Sequence, residues 1–129
     1  MFKLSLQFAR HEVSESQDSE VSAADALTAF DEFDWAAEVR ASIEIQKCSP
    51  TVSLQSGERV IWLSGVGDPD APDFISECGF PGVVKKWFGL SKGPGLVALY
   101  REDMSMSEAR QAFRFFIEGN ENGLRKLYS

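Results

Sequence analysis

The sequence of 129 residues predicts a single α+β domain over residues 1–129, a mostly antiparallel sheet with helices packed on one face. Three stretches lead to this prediction. The amino-terminal "FKLSLQFA" alternates apolar and polar residues, as a half-buried strand does. Two strand-like runs in "SPTVSLQSGERVIWLSG" flank a turn at Gly57 and predict a β-hairpin. The closing "SMSEARQAFRFFIEG" places apolar residues at helical spacing behind a capping box.

Caps and breakers define further elements. A first helix is predicted to begin after Ser22, whose hydroxyl caps it, with Asp25 at the third position. A strand is predicted from Leu96 to Arg101, preceded by the breaker "KGPG". The closing helix is predicted to end at Gly119.

Residues 34–47 fit two structures. Their apolar residues alternate as in a strand, yet Trp35, Val39 and Ile43 also follow a helical spacing behind Asp34, which could cap a helix. We favour a helix through about Ser42, because the alanines at the start favour helix and only the isoleucines at the end favour strand.

Two segments are predicted to be exposed loops. Residues 11–21 are polar and acidic and contain few large apolar groups. Residues 67–82, "GDPDAPDFISECGFPG", contain three prolines that each remove a backbone donor, so a long regular element is not expected there.

The charge of the chain is distributed unevenly. The net charge is −7, but residues 1–80 hold 15 acidic and 5 basic side chains, while residues 81–129 hold 5 acidic and 8 basic ones. Such a field disfavours nucleic acid and anionic membranes and favours a basic protein partner. Solubility alone would also account for it. Without a signal peptide or membrane-spanning run in the sequence, we expect a cytoplasmic protein.

No motif predicts catalysis or a cofactor. The single histidine, His11, lies in a predicted loop, and no cysteine pair has zinc-site spacing. The loop acids fail the calcium helix-loop-helix pattern at Pro72, Asp73 and Gly79. We therefore expect no metal, no cofactor and no enzymatic activity. Pairing of Cys48 with Cys78 remains open, although two cysteines in a cytoplasmic chain are more often reduced.

The hairpin "SPTVSLQSGERVIWLSG" and the closing "MSMSEARQAFRFFIEG" resemble immunity proteins of bacterial polymorphic-toxin systems. In one such family a strand leads to a final helix with an alanine, an aromatic residue and a terminal glycine. The resemblance implies a non-enzymatic inhibitor that binds one cognate toxin and blocks its active site.

The acidic segments are the predicted contacts with a basic partner such as a toxin. Trp35 is included as an aromatic anchor, with a place in the core as its other interpretation. The predicted partner-binding residues are Asp68, Asp70, Asp73, Glu77, Asp31, Glu32, Asp34 and Trp35.

Two other functions remain open. The sheet face and the loop near Phe74 and Phe80 could form a small-ligand pocket or the seam of a homodimer, so the protein is expected to be a monomer or a homodimer. An enzyme using the loop acids would require buried carboxylates that face one another across a cleft.

Overall fold

The structure is a computed structural model that describes residues 2–8, 15–45, 49–86 and 91–129. In chain order its elements are β1 (Phe2–Phe8), β2 (Glu15–Val21), α1 (Ala23–Glu32), α2 (Trp35–Ile45), β3 (Thr51–Ser56), β4 (Arg59–Asp68), β5 (Ala71–Lys86), β6 (Ser91–Met104), α3 (Met106–Glu118) and α4 (Glu121–Tyr128).

The strands form one six-stranded sheet in the order β2-β1-β3-β4-β5-β6, and every neighbouring pair is antiparallel. Side chains alternate between the two faces along each strand. One face carries the buried side chains, including Leu54, Ile61, Phe74 and Phe80, which belong to the same core cluster as the helix residue Phe113. The predicted α+β class, with helices on one face of an antiparallel sheet, is confirmed.

Aromatic side chains join the helices to the sheet. The Phe30 ring of α1 lies 5.1 Å from the Phe113 ring of α3, measured between ring centroids. The Trp35 ring of α2 meets the Phe74 ring of β5 edge-on at 4.8 Å. Edge-to-face and offset arrangements at these distances are favourable for aromatic pairs. The apolar spacing seen in the sequence therefore produces the helix-to-sheet core.

The predicted helix caps are confirmed. The Ser22 hydroxyl accepts a hydrogen bond from the Asp25 amide at 3.2 Å. Asp34 caps α2 in the same way, accepting from the Ala37 amide at 3.1 Å, and the helix continues to Ile45, three residues beyond the predicted end. Ser105 and Glu108 form the predicted capping box of α3, and Gly119 ends that helix with a left-handed φ of 71°.

The prediction of an irregular loop at residues 67–82 is wrong. Here β4 continues to Asp68, Pro69 and Asp70 form the turn, and β5 begins at Ala71 and runs to Lys86. Pro72 lies at the end of the β4–β5 ladder, and Pro81 lies beyond Gly79, where β4 no longer pairs with β5. Proline is tolerated at such positions because a strand flanked on one side only does not need both sets of backbone hydrogen bonds.

Two other predictions are corrected, and one element was missed. Residues 15–21, expected in a loop, form the edge strand β2, whose polar side chains suit a strand with few apolar neighbours. The strand predicted at Leu96–Arg101 extends from Ser91 to Met104, so "KGPG" does not break it. The helix α4 was not predicted at all.

Some predicted features lie outside the described residues, namely His11 and the first part of the predicted 11–21 loop, and Cys48. Cys78 is a free thiol in β5, and burial raises its pKa to about 12. Among the described residues, no helix is both long enough and apolar enough to cross a membrane.

Candidate functional site

The face of the sheet opposite the helices is the candidate site, and we call it the open face. It consists of the strand positions that alternate with the buried ones. Its larger exposed or partly exposed hydrophobic side chains are Val60, Trp62, Val66, Ile75 and Tyr100. Its acidic side chains are Asp18, Glu20, Asp73, Glu77 and Glu102.

A continuous row of residues crosses the open face from edge to edge. Asp18 of β2 pairs with Ser5 of β1, which pairs with Ser53 of β3. The same row continues through Trp62 of β4 and Glu77 of β5 to Tyr100 of β6. Glu77 therefore lies between two aromatic side chains on adjacent strands.

Tyr100 is the most exposed aromatic side chain of this row, at 50%. Its hydroxyl donates a hydrogen bond to the Glu102 carboxylate at 3.0 Å. This hydrogen bond, more than any other effect, raises the pKa of the Tyr100 hydroxyl above its ordinary value. The bond restrains the ring and holds a second carboxylate beside it.

The open face is acidic over the part of the chain whose side chains are described. It carries five carboxylates and one basic group, Lys3, which stands opposite Glu20. A shallow groove of about 420 Å³ runs over the β2, β1 and β3 end of this face, lined in part by Lys3, Asp18 and Glu20. The combination of acidic groups with exposed aromatic rings suits a positively charged protein surface.

The first predicted acidic group divides in two. Asp73 and Glu77 lie on the open face, where Glu77 is partly buried and Asp73 exposed. Asp68 and Asp70 lie at the β4–β5 turn, where the Asp70 amide donates to the Asp68 carboxylate at 2.9 Å. Asp70 also forms an exposed ion pair with Arg40 of α2, at 3.4 Å. Two of these four residues thus have structural partners.

The second predicted group lies in the helix layer, on the other side of the sheet. Asp31 accepts two hydrogen bonds from Arg110 of α3, at 2.8 and 3.1 Å, and Asp34 caps α2. Glu32 is exposed. These acids therefore do not form a common surface with Asp73 and Glu77.

Trp35 is part of the core. It is 4% exposed, and its indole N–H donates to the Phe30 carbonyl at 3.3 Å. A Cβ added to Gly65 would lie 3.0 Å from the Trp35 ring, so the absent side chain lets α2 pack closely on β4. Of the two interpretations made from the sequence, the structure supports the core one.

Phe74 and Phe80 are fully buried on the helix side of the sheet. They consequently cannot line the pocket or dimer seam that the sequence suggested for their segment. Over the described ranges, no group of three or more histidine, cysteine, aspartate or glutamate side chains is arranged to hold a metal ion.

Sequence reasoning missed Trp62, Tyr100, Asp18 and Glu20 as surface residues of one site. The alternation in "ERVIWLSG" places Trp62 on the opposite face to Ile61 and Leu63 and is the signal that could have found it. Its direct partners are Ser53 of β3 and Glu77 of β5, and the same row reaches Asp18 of β2 and Tyr100 of β6 further along, an alignment that the sequence does not show.

Comparison with the models of known protein families, with curated proteins and with solved structures gave no match for this chain.

Proposed function

We propose that the protein is a non-enzymatic cytoplasmic binding protein, an immunity protein that neutralises a cognate basic toxin. The observation that carries the proposal is the open face, on which carboxylates surround the exposed Tyr100 and the partly exposed Trp62. The resemblance of the hairpin and closing helix to immunity proteins supports the same class of function.

The physical basis is charge complementarity. A toxin that acts on nucleic acid has a basic substrate-binding cleft, which an acidic surface attracts over a distance. Aromatic residues such as Trp and Tyr contribute much of the binding free energy at protein interfaces once they are desolvated. The partner-binding residues in this proposal are Asp73 and Glu77, predicted from the sequence, together with Trp62 and Tyr100.

Genetic rescue together with direct binding tests the proposal. A candidate toxin, sought among the products of neighbouring genes, is co-expressed with this protein in a bacterial host, and binding of the two purified proteins is measured. Wild-type protein is expected to restore growth. The double charge reversal Asp73→Lys with Glu77→Lys is expected to weaken binding by about 30-fold or more and to abolish rescue, since opposed like charges are costly.

The matched control places the same charge change in the helix layer, as Glu32→Lys with Glu44→Lys. Both residues are exposed, and rescue is expected to be retained. If only this control variant loses rescue, the toxin-binding surface is in the helix layer and not on the open face. The absence of any neighbouring toxin that the purified protein binds would refute the immunity function.

The exposed Val60 and Tyr100 favour a second candidate, a homo-oligomeric module that buries the open face against another copy. Such an assembly would bring acidic faces together, so it would require high salt. Sedimentation of the purified protein at low and high ionic strength distinguishes a monomer from a dimer of this kind.

A further inference from the structure

We propose that the row Trp62, Glu77 and Tyr100 is a docking point for an arginine side chain of a basic protein partner. This inference rests on the proposed function and adds to it the chemical group that is recognised. It is carried by the register of the three strands and by the charge of the surrounding face.

The geometry of the row fits a cation. Glu77 is the direct cross-strand partner of both Trp62 and Tyr100. Neighbouring strands are about 4.8 Å apart, so a cation above Glu77 lies within the roughly 6 Å over which an aromatic ring attracts it. The cation would contact a carboxylate from below and an aromatic ring on either side.

Glu77 is available for such a contact. Within the described part of the chain it forms no hydrogen bond or ion pair, whereas Tyr100 is already bonded to Glu102. The partial burial of Glu77 between its neighbours reduces the screening of its charge by water. A partner cation therefore gains more here than at the exposed Asp73.

Guanidinium suits the row better than an ammonium group does. It is planar, binds a carboxylate through two parallel N–H donors and stacks on aromatic rings. An ammonium group is compact and strongly hydrated and does not stack. The remaining carboxylates of the open face, Asp18, Glu20, Asp73 and Glu102, favour a partner with further basic residues around this arginine.

Peptide titration followed by nuclear magnetic resonance tests the inference without the toxin. The probe is a short peptide of Gly and Ser with one central arginine, compared with the same peptide carrying citrulline or lysine. Only the arginine peptide is expected to shift the Trp62 indole and Tyr100 signals strongly. At sub-saturating peptide, Glu77→Gln is expected to reduce these shifts by about tenfold, because a charged hydrogen-bonded pair is lost.

The matched control is Asp18→Asn, the same change of charge in the same row but four strands away, roughly 19 Å from Glu77. It is expected to change the shifts by less than about twofold, because exposed charges beyond the Debye length are screened. Trp62→Leu retains apolar area but removes the ring, so it is expected to weaken binding of the arginine peptide. The dispersion of the signals in its spectrum shows whether this variant is folded.

Equal shifts with the citrulline or lysine peptide, or shifts that map to the groove around Lys3 and Asp18, would overturn the inference. This result is separate from that of the rescue experiment. If the arginine peptide binds at Glu77 but the protein neutralises no toxin, the docking point is supported and the immunity function is rejected. If the protein neutralises a toxin but the arginine peptide does not bind, the immunity function is supported and the docking point is rejected.

Discussion

Ser76 is a fully buried polar residue on the helix side of β5, and its hydroxyl has two partners. It donates to the Trp62 carbonyl at 2.8 Å and lies 2.6 Å from the Tyr128 hydroxyl. Because the single Ser76 proton is directed at a carbonyl, which can only accept, Tyr128 must be the donor in the second bond. Burial raises the pKa of Tyr128, which keeps that donor protonated. The carboxy-terminal helix is thereby fixed to β5, and through Ser76 to β4.

Tyr128→Phe is expected to lower the free energy of unfolding by about 1 kcal/mol, because it removes one buried hydrogen bond and leaves the ring in place. Urea denaturation of the two proteins measures the difference. In a Ser76→Ala background the same substitution is expected to cost much less, because the acceptor is already gone. An equal cost in both backgrounds would show that the bond contributes nothing to stability.

At the scale of the element, the start of α3 is linked to β6 and α4 through Arg101. Its guanidinium donates to the Glu108 carboxylate at 2.6 Å and to the Leu127 carbonyl at 2.9 Å. Glu108 also accepts from the Ser105 amide at 3.2 Å, which completes the capping box. The hydrogen bond from Arg101 is the largest of the effects that lower the pKa of Glu108 below its ordinary value of 4.5.

Glu108→Gln is expected to flatten the dependence of stability on pH in acid. A carboxylate whose pKa is lower in the folded state stabilises the protein fully above about 4.5 and loses that contribution as the pH falls through the lowered value. The wild type should therefore lose more stability than the variant between neutral pH and about pH 3. Urea titrations over this range measure it, and parallel curves for the two proteins would contradict it.

The elements predicted correctly are those specified locally. The caps at Ser22 and Ser105 and the turn at Gly57 each depend on residues within a few positions of one another. The strand β5 was missed because prolines, glycines and acids disfavour a strand on their own. It forms because β4 and β6 flank it, and sequence periodicity does not contain that information.

The same distinction applies to the candidate site. Asp73 and Glu77 could be selected from the sequence because they belong to a dense acidic run. Their juxtaposition with Trp62 and Tyr100 depends on the β4–β5–β6 register and could not be read from the chain. The helix-layer acids Asp31 and Asp34 belong to equally acidic stretches, but the structure uses them for an ion pair and a cap.

Over the whole molecule, the sheet separates two acidic surfaces with different roles. In the helix layer, Asp31 is neutralised by Arg110 and Asp70 is paired with Arg40 at the edge of the sheet. On the open face, Lys3 is the one basic side chain among those that the structure describes, and the carboxylates there are exposed or partly exposed. These carboxylates are expected to attract a basic partner and to orient it toward the open face as it approaches.

The rate of association with the cognate toxin is accordingly expected to depend strongly on salt. Between about 0.05 and 0.5 M NaCl the association rate should fall by roughly tenfold or more, because the Debye length shortens to a few ångströms and long-range attraction is screened. The dissociation rate, which depends on short-range contacts, should change much less.

At low salt, Glu20→Gln on the open face should slow association more than Glu44→Gln in the helix layer, although both remove one exposed charge. Stopped-flow mixing measures these rates, and equal slowing by the two variants would mean that net charge, and not its placement on the open face, guides the encounter.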